Sequence, residues 1–185
     1  MKLTKIQKEL RLKLLTYMFK THICHVPTAL SAIDYLFFLH KHIDLKNDRF
    51  IIGNTYIPFL FDRRFYSNIK TNDNINAYPL SEYNMCHYMS GSLGNDIGIA
   101  VGMAISKKYK KIIISVGDSI LHSGSELEAA LYIGNNFSMM SDIFLIINSN
   151  NIGCNSSFLH FDKQLKNIFH AFKWNVKIIN GHNFK

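Results

Sequence analysis

Two short, largely apolar segments, each followed at once by polar residues, constrain the fold of this chain most. Residues 112–116 run into Gly117 and Asp118, and residues 143–147 run into an asparagine-rich stretch. Neither segment alternates apolar with polar residues, which indicates strands that are buried on both faces, as in a parallel sheet. Because stretches of helical length separate these segments, the sequence predicts an α/β fold in which helices flank a parallel sheet in three layers.

The rest of the chain continues the same alternation of helices and strands. Its 185 residues have room for one domain, so we expect a single domain over residues 1–185. An asparagine-rich loop is expected over residues 68–76. The predicted helices are 4–19, 29–40, 96–108, 123–135 and 164–172, and the predicted strands are 49–52, 112–116, 143–147 and 175–179.

Composition and charge argue against several classes of protein. No apolar run approaches the roughly 20 residues of a membrane span, and the charged amino terminus lacks a signal-peptide core, so we expect a cytoplasmic protein without membrane contact. The net charge of +8 comes from scattered lysines without a recognised motif, so no nucleic-acid partner is expected. The cysteines lie far apart and predict neither a disulfide framework nor a zinc site; they are Cys24, Cys86 and Cys154.

Two polar loops are expected to meet at one edge of the sheet. Ligands of such folds bind at the carboxyl ends of the strands, and Asp118 and Asn150 each follow a predicted strand. Their carboxylate and amide oxygens are hard ligands suited to magnesium or calcium, with a backbone carbonyl as a third ligand. Backbone N–H groups at Ser119 and at the next helix would bind the oxygens of a diphosphate. An ordinary tight turn with a helix cap is the alternative at this point.

Several motifs in one order resemble the transketolase family. Residues 117–119 and the later Asn150 resemble its thiamine diphosphate motif, usually GDG followed by a downstream asparagine. The segment SGSLG at 90–94 resembles the TGSLG loop, and residues 97–104 resemble the GxAVGMA helix. Further matches are EGSxxEAA at 124–130, DRF at 48–50, the GH pair at 24–25 and GHD at 181–183, so that the resemblance runs from about residue 10 to residue 183.

The resemblance implies which residues hold the cofactor's diphosphate. Asp118 and Asn150 would ligate Mg²⁺ or Ca²⁺ through their side chains, and Ile152 would do so through its carbonyl oxygen. Asn148 or Asn151 would replace Asn150 if the loop register differed. Gly117 and Ser119 would line the diphosphate of thiamine diphosphate.

The resemblance also implies the surroundings of the cofactor's rings. Gly91 and Leu93 would contact the aminopyrimidine through their backbone. His25 and His182 would be catalytic residues that face the thiazolium and the substrate, and His25 would also bind the cofactor. Glu128 would belong to a buried acidic network near a dimer interface.

As a whole, the resemblance implies that this chain is the diphosphate-binding (PP-type) amino-terminal subunit of a transketolase-like enzyme. Such an enzyme would transfer two-carbon ketol units between sugars, with a sugar phosphate as substrate. A carboxyl-terminal chain would supply the pyrimidine-binding domain, in a homodimer or a heterotetramer, and the carboxyl end here would be truncated or minimal. The SGSLG and EGSxxEAA matches favour transketolase over a deoxyxylulose phosphate synthase or a 2-oxoacid dehydrogenase E1 fragment.

Several motif positions depart from the family pattern, and three of them bear on catalysis or cofactor binding. Ser119 stands where the motif has its second glycine, Tyr56 where the family has an active-site histidine, and Ser123 where an acidic residue precedes Gly124. These departures favour a different class of function, a non-catalytic or degenerate module for cofactor binding or dimerisation.

Overall fold

The structure is a computed structural model that describes residues 2–22, 25–44, 46–53, 60, 65, 86–89, 93–140, 142–150 and 161–183. The chain divides into two compact units, and the single domain over residues 1–185 stays a prediction. The first unit comprises Met1–Ile43, Tyr56–Met85 and Asn180–Lys185, and the second comprises Asp44–Thr55 and Cys86–Ile179. The predicted loop 68–76 lies outside the described residues.

Two helices that pack against each other form the described core of the first unit. Helix α1 spans Lys5–Thr21 and helix α2 spans Val26–His42, which confirms both predicted helices. Helix α2 begins three residues before the predicted start because a proline fits the first turn of a helix, where no intrahelical donor is needed. The buried apolar side chains that the two helices themselves contribute are Leu10, Leu14, Met18, Ala29, Ala32, Ile33 and Leu36.

A reciprocal pair of hydrogen bonds starts α1. The Thr4 hydroxyl accepts from the backbone N–H of Gln7, and the Gln7 side-chain oxygen accepts from the backbone N–H of Thr4. This capping box satisfies two donors that the first turn leaves without an intrahelical partner.

Removing this cap is expected to destabilise the chain modestly. Thr4→Ala should lower the free energy of unfolding by about 1 kcal/mol, because the Gln7 N–H loses its acceptor. Urea unfolding followed by far-ultraviolet circular dichroism measures the change. The matched control is Thr21→Ala at the exposed end of α1, which should stay within about 0.5 kcal/mol of the wild type. Equal losses in the two variants would contradict the capping role.

The second unit is built on a parallel sheet. Its strands β1 (Asp48–Ile52), β2 (Tyr88–Met89), β3 (Lys111–Gly117) and β4 (Ile143–Asn148) lie in the order β2-β1-β3-β4. All the described pairs are parallel, and five successive residues of the central strand β3 are buried. The predicted α/β fold with a parallel sheet flanked by helices is confirmed.

The helices of this unit are α3 (Asp96–Ile105), α4 (Gly124–Asn135), the short α5 (Phe137–Met140) and α6 (Phe161–Ala171), with a 3-10 helix over Asp118–His122. Helix α3 ends three residues before the predicted 108, because Lys107 adopts a φ of 53° that helical backbone cannot continue. None of the described helices combines the length and apolarity needed to cross a membrane.

The strand predicted over residues 175–179 is absent from the described sheet. The segment has no regular secondary structure and comes directly after Trp174, whose indole N–H donates to the Ala130 carbonyl at 2.9 Å. Val176 packs against the core, whereas Ile178 and Ile179 are exposed. The prediction was wrong because branched apolar residues favour a strand only where a neighbouring strand pairs with them.

Candidate functional site

The polar loops after β3 and β4 meet at the carboxyl edge of the sheet. Gly117, the last residue of β3, is paired in register with Asn148, the last residue of β4. The side chain of the next residue, Asp118, is buried at 3% exposure, and its Oδ2 accepts a hydrogen bond from the Asn150 backbone N–H at 3.1 Å. The structure thus brings Asp118 and Asn150 together, as the topology of parallel strands requires.

The oxygen donors at this edge fit a hard divalent cation. A buried carboxylate and a half-buried amide side chain stand on adjoining loops, and magnesium and calcium prefer such ligands. No group of three His, Cys, Asp or Glu side chains suited to a metal occurs in the described part of the chain. The predicted set is of another kind, with one carboxylate, one amide and the carbonyl of Ile152, and Ile152 lies outside the described residues.

The other residues predicted to bind the cofactor are described in part. Gly117 and Ser119 flank Asp118, and both are half-buried. Leu93 is exposed in the turn before α3. Gly91 lies outside the described residues. Binding of the cofactor by any of them stays a prediction.

The turn that carries Leu93 is attached to the start of α4. Gly94 has a φ of 113°, which side-chain-bearing residues rarely adopt, and its carbonyl accepts from the Ser125 hydroxyl at 2.7 Å. A Cβ at this glycine would lie 2.8 Å from the same hydroxyl oxygen. The last glycine of the predicted SGSLG loop is therefore required here by its backbone conformation.

Two buried carboxyl groups lie between α3 and α4. Both oxygens of the Glu126 side chain accept backbone hydrogen bonds at 2.8 Å, one from Asp96 and one from Ile97, so that Glu126 caps α3. The Asp96 side chain is 1% exposed, and its Oδ1 has no hydrogen-bond partner among the described residues. Burial, with the nearby charge of Glu126, raises the pKa of Asp96 to about 7.

The buried acidic residue of α4 is not the one that the motif match selects. Glu128, which the motif match selects, is exposed in this chain, and the buried carboxylate of α4 is Glu126. The place of Glu128 near a dimer interface stays a prediction. A signal for Glu126 was present in the sequence, because Glu126, Ala130 and Ile133 have the spacing of one helix face and all three are buried.

Asp96 packs against the end of β1 and close to a thiol. A Cβ added to Gly53, the residue after β1, would lie 2.3 Å from Asp96 Oδ2. The Cys86 thiol donates to the Tyr88 carbonyl, and burial, opposed by its hydrogen bonds, raises its pKa to about 12. The nearby charge of Asp96 contributes in the same direction.

The two predicted catalytic histidines belong to the first unit, whereas Asp118 and Asn150 belong to the second. His25 is exposed and precedes α2 with a φ of 67°. His182 lies in the turn after residue 180, and its Nδ1 is 2.7 Å from Asp34 Oδ2. Their catalytic roles remain predictions.

Sequence reasoning missed the ion pair beside His182. Asp34 is fully buried in α2 and receives two hydrogen bonds from the Arg11 guanidinium, at 2.9 and 2.5 Å. Gln7 Nε2 donates to the same carboxylate at 3.1 Å. Burial would raise the pKa of Asp34, but hydrogen bonds from Arg11, His182 and Gln7, together with the Arg11 charge, hold it below its usual range.

Comparison with known proteins points to one family. A family model described as 1-deoxy-D-xylulose-5-phosphate synthase, for the amino-terminal domain, matches residues 1–180. A 1-deoxy-D-xylulose-5-phosphate synthase from Fusobacterium nucleatum is 30% identical over 156 residues, which cover 81% of this chain and 26% of that protein. Transketolases from Rattus norvegicus and Homo sapiens are each 22% identical over 184 residues, covering 88% of this chain and 29% of theirs. The chain therefore spans less than a third of the length of these relatives.

Proposed function

Since the chain belongs to the 1-deoxy-D-xylulose-5-phosphate synthase amino-terminal family, we propose that it is the cofactor-binding domain of a transketolase-like transferase. Membership of this family implies dependence on thiamine diphosphate. The observation that carries the proposal is the hydrogen bond between Asp118 and the Asn150 backbone, which joins the two halves of the diphosphate motif.

The chain's own residues would bind and orient the cofactor. Asp118, Asn150 and the carbonyl of Ile152 would hold Mg²⁺ or Ca²⁺, and the metal would hold the diphosphate against Gly117 and Ser119. Gly91 and Leu93 would contact the aminopyrimidine. When bound, thiamine diphosphate supplies the stabilised carbanion that such transferases use.

A second polypeptide segment is part of the proposal. The chain matches less than a third of its relatives' length, so a carboxyl-terminal, pyrimidine-binding transketolase segment would complete the site in a homodimer or heterotetramer. A sugar phosphate is the proposed substrate, in agreement with the net charge of +8.

Two reactions are candidates. The SGSLG and EGSxxEAA matches favour ketol transfer between sugars, and transketolases are among the relatives. The family model and the relative at 30% identity favour formation of 1-deoxy-D-xylulose 5-phosphate. A non-catalytic module is the third reading, supported by Tyr56, Ser119 and Ser123 at motif positions.

Calorimetric titration of thiamine diphosphate with magnesium tests the proposal. We expect binding that weakens at least about tenfold in Asp118→Ala and in the isosteric Asp118→Asn, and that disappears with a chelator. Asp142→Asn is the matched control, because that aspartate precedes β4 at the opposite end of the strand and is exposed. Its affinity should equal that of the wild type.

Two results would overturn the proposal. If both Asp118 variants bound thiamine diphosphate with wild-type affinity, the motif around Asp118 would not be part of the binding site. Absence of binding, both alone and with a carboxyl-terminal transketolase chain added, would favour the non-catalytic module.

A further inference from the structure

The contacts of His182 determine which ring nitrogen carries the proton. Nδ1 lies 2.7 Å from Asp34 Oδ2 and 3.4 Å from an Arg11 guanidinium nitrogen. A guanidinium has only donors, and an ionised carboxylate only accepts. Since Arg11 keeps Asp34 ionised, the short contact is a hydrogen bond only if Nδ1 carries a hydrogen.

The rest of the cluster fixes the position of the ring. The His182 backbone N–H donates to the Asn180 side-chain oxygen at 3.0 Å, and the His182 carbonyl accepts from Gln7 Nε2 at 2.8 Å. The Asp34 carboxylate is itself held by the two-pronged contact with Arg11 and by Gln7. Both the backbone of His182 and the acceptor for its ring are thus immobilised by α1.

The other ring nitrogen is Nε2. The His182 side chain is 38% exposed, whereas Asp34 is fully buried. Nε2 makes no hydrogen bond within the described residues. In a neutral ring with hydrogen on Nδ1, this nitrogen carries a lone pair and can accept a proton or a hydrogen bond.

We propose that Asp34, held by Arg11 and Gln7, is a positioning residue that keeps His182 in its Nδ1-protonated tautomer and presents Nε2 as an acceptor to a hydroxyl-bearing ligand. The assignment of that ligand as substrate rests on the proposed function. The tautomer itself does not, because it follows from contacts within the first unit alone. A purely structural role for the cluster would hold the turn in place without depending on which nitrogen is protonated.

Ring nitrogen chemical shifts of the full chain, labelled with ¹⁵N-histidine and measured at pH 8, test the proposal. His182→Gln assigns the signal. We expect at least about a tenfold excess of the Nδ1-protonated form in the wild type, since a hydrogen bond to a buried charge favours it. In Asp34→Asn, whose amide can donate to Nδ1, that excess should fall below twofold. Exposed His170 in α6 should be unchanged in both proteins.

The outcomes separate this proposal from the proposed function. A wild-type His182 protonated on Nε2 overturns the tautomer assignment, and this result stands even if Asp34→Asn does not fold. An unchanged tautomer in Asp34→Asn overturns the role of Asp34. Arg11→Lys, which keeps a positive charge beside Asp34, should retain the wild-type tautomer. Failure of thiamine diphosphate binding would overturn the proposed function and leave these results intact.

Discussion

Gly134→Ala is expected to lower the free energy of unfolding by about 3 kcal/mol, at the upper end of the usual cost of overpacking. An added Cβ would lie 1.6 Å from the carbonyl oxygen of Phe172 and 2.8 Å from its carbonyl carbon. These are backbone atoms at the end of α6, so no side-chain rotation can relieve the clash. Helix α4 and the turn after α6 would have to move apart and expose Phe169 and Trp174, whose rings contact each other there.

A second glycine provides the control for this prediction. Gly102 lies inside α3, and a Cβ added there would meet nothing within 4 Å. Gly102→Ala should therefore raise stability by about 0.5–1 kcal/mol, the normal gain from alanine in a helix. Urea unfolding of both variants measures the two effects. Changes of the same sign in both proteins would contradict the close contact between α4 and the turn after α6.

Asp96→Asn is expected to stabilise the chain at pH 8 but not at pH 4. The pKa of Asp96 is raised from 3.8 to about 7, so the folded chain keeps a proton that the unfolded chain loses. The stability that goes with the neutral carboxyl group is fully present below about pH 4 and is lost as the pH rises through 7. An amide stays neutral throughout, so the variant avoids this loss.

The expected gain of Asp96→Asn over the wild type is about 2 kcal/mol at pH 8. The pKa change corresponds to at most about 4 kcal/mol, and solvent screening reduces it. Denaturant unfolding at pH 4, 6 and 8 measures the difference between the two proteins. Asp142→Asn, at an exposed position, should differ from the wild type by the same small amount at each pH. A difference for Asp96→Asn that does not grow with pH would show that Asp96 is ionised throughout.

Topology explains why part of the candidate site was predictable. Parallel strands end at the same edge of a sheet, so two apolar segments, each followed by polar residues, were enough to bring Asp118 and Asn150 together. The two helices of the first unit were predictable from apolar residues at helical spacing, although the start of α2 was placed three residues late. Local sequence was therefore sufficient to predict those features that depend on the pattern of each element and on the parallel arrangement of the strands.

The errors came from features that depend on distant residues. The segment 175–179 has the composition of a strand, but nothing in its own residues says whether a partner strand pairs with it. The burial of Glu126 was different, since it could have been predicted locally from helical periodicity, and the role of Glu128 stays a prediction. The carboxylate of Asp34 was missed because its partners, Arg11 and His182, are 23 and 148 residues away.

The contacts of Gln7 can form only in a fixed order while the chain is being synthesised. Its side chain hydrogen-bonds to Thr4 within the first turn of α1, and also to the carbonyl of His182, 175 residues further on. During synthesis α1 and α2 are made before the four described strands, so the link to His182 can form only after all four strands have been made. Until then the ion pair of Arg11 and Asp34 lacks its third partner, so the contacts of these two helices around Asp34 are complete only after the strands of the described sheet have been made.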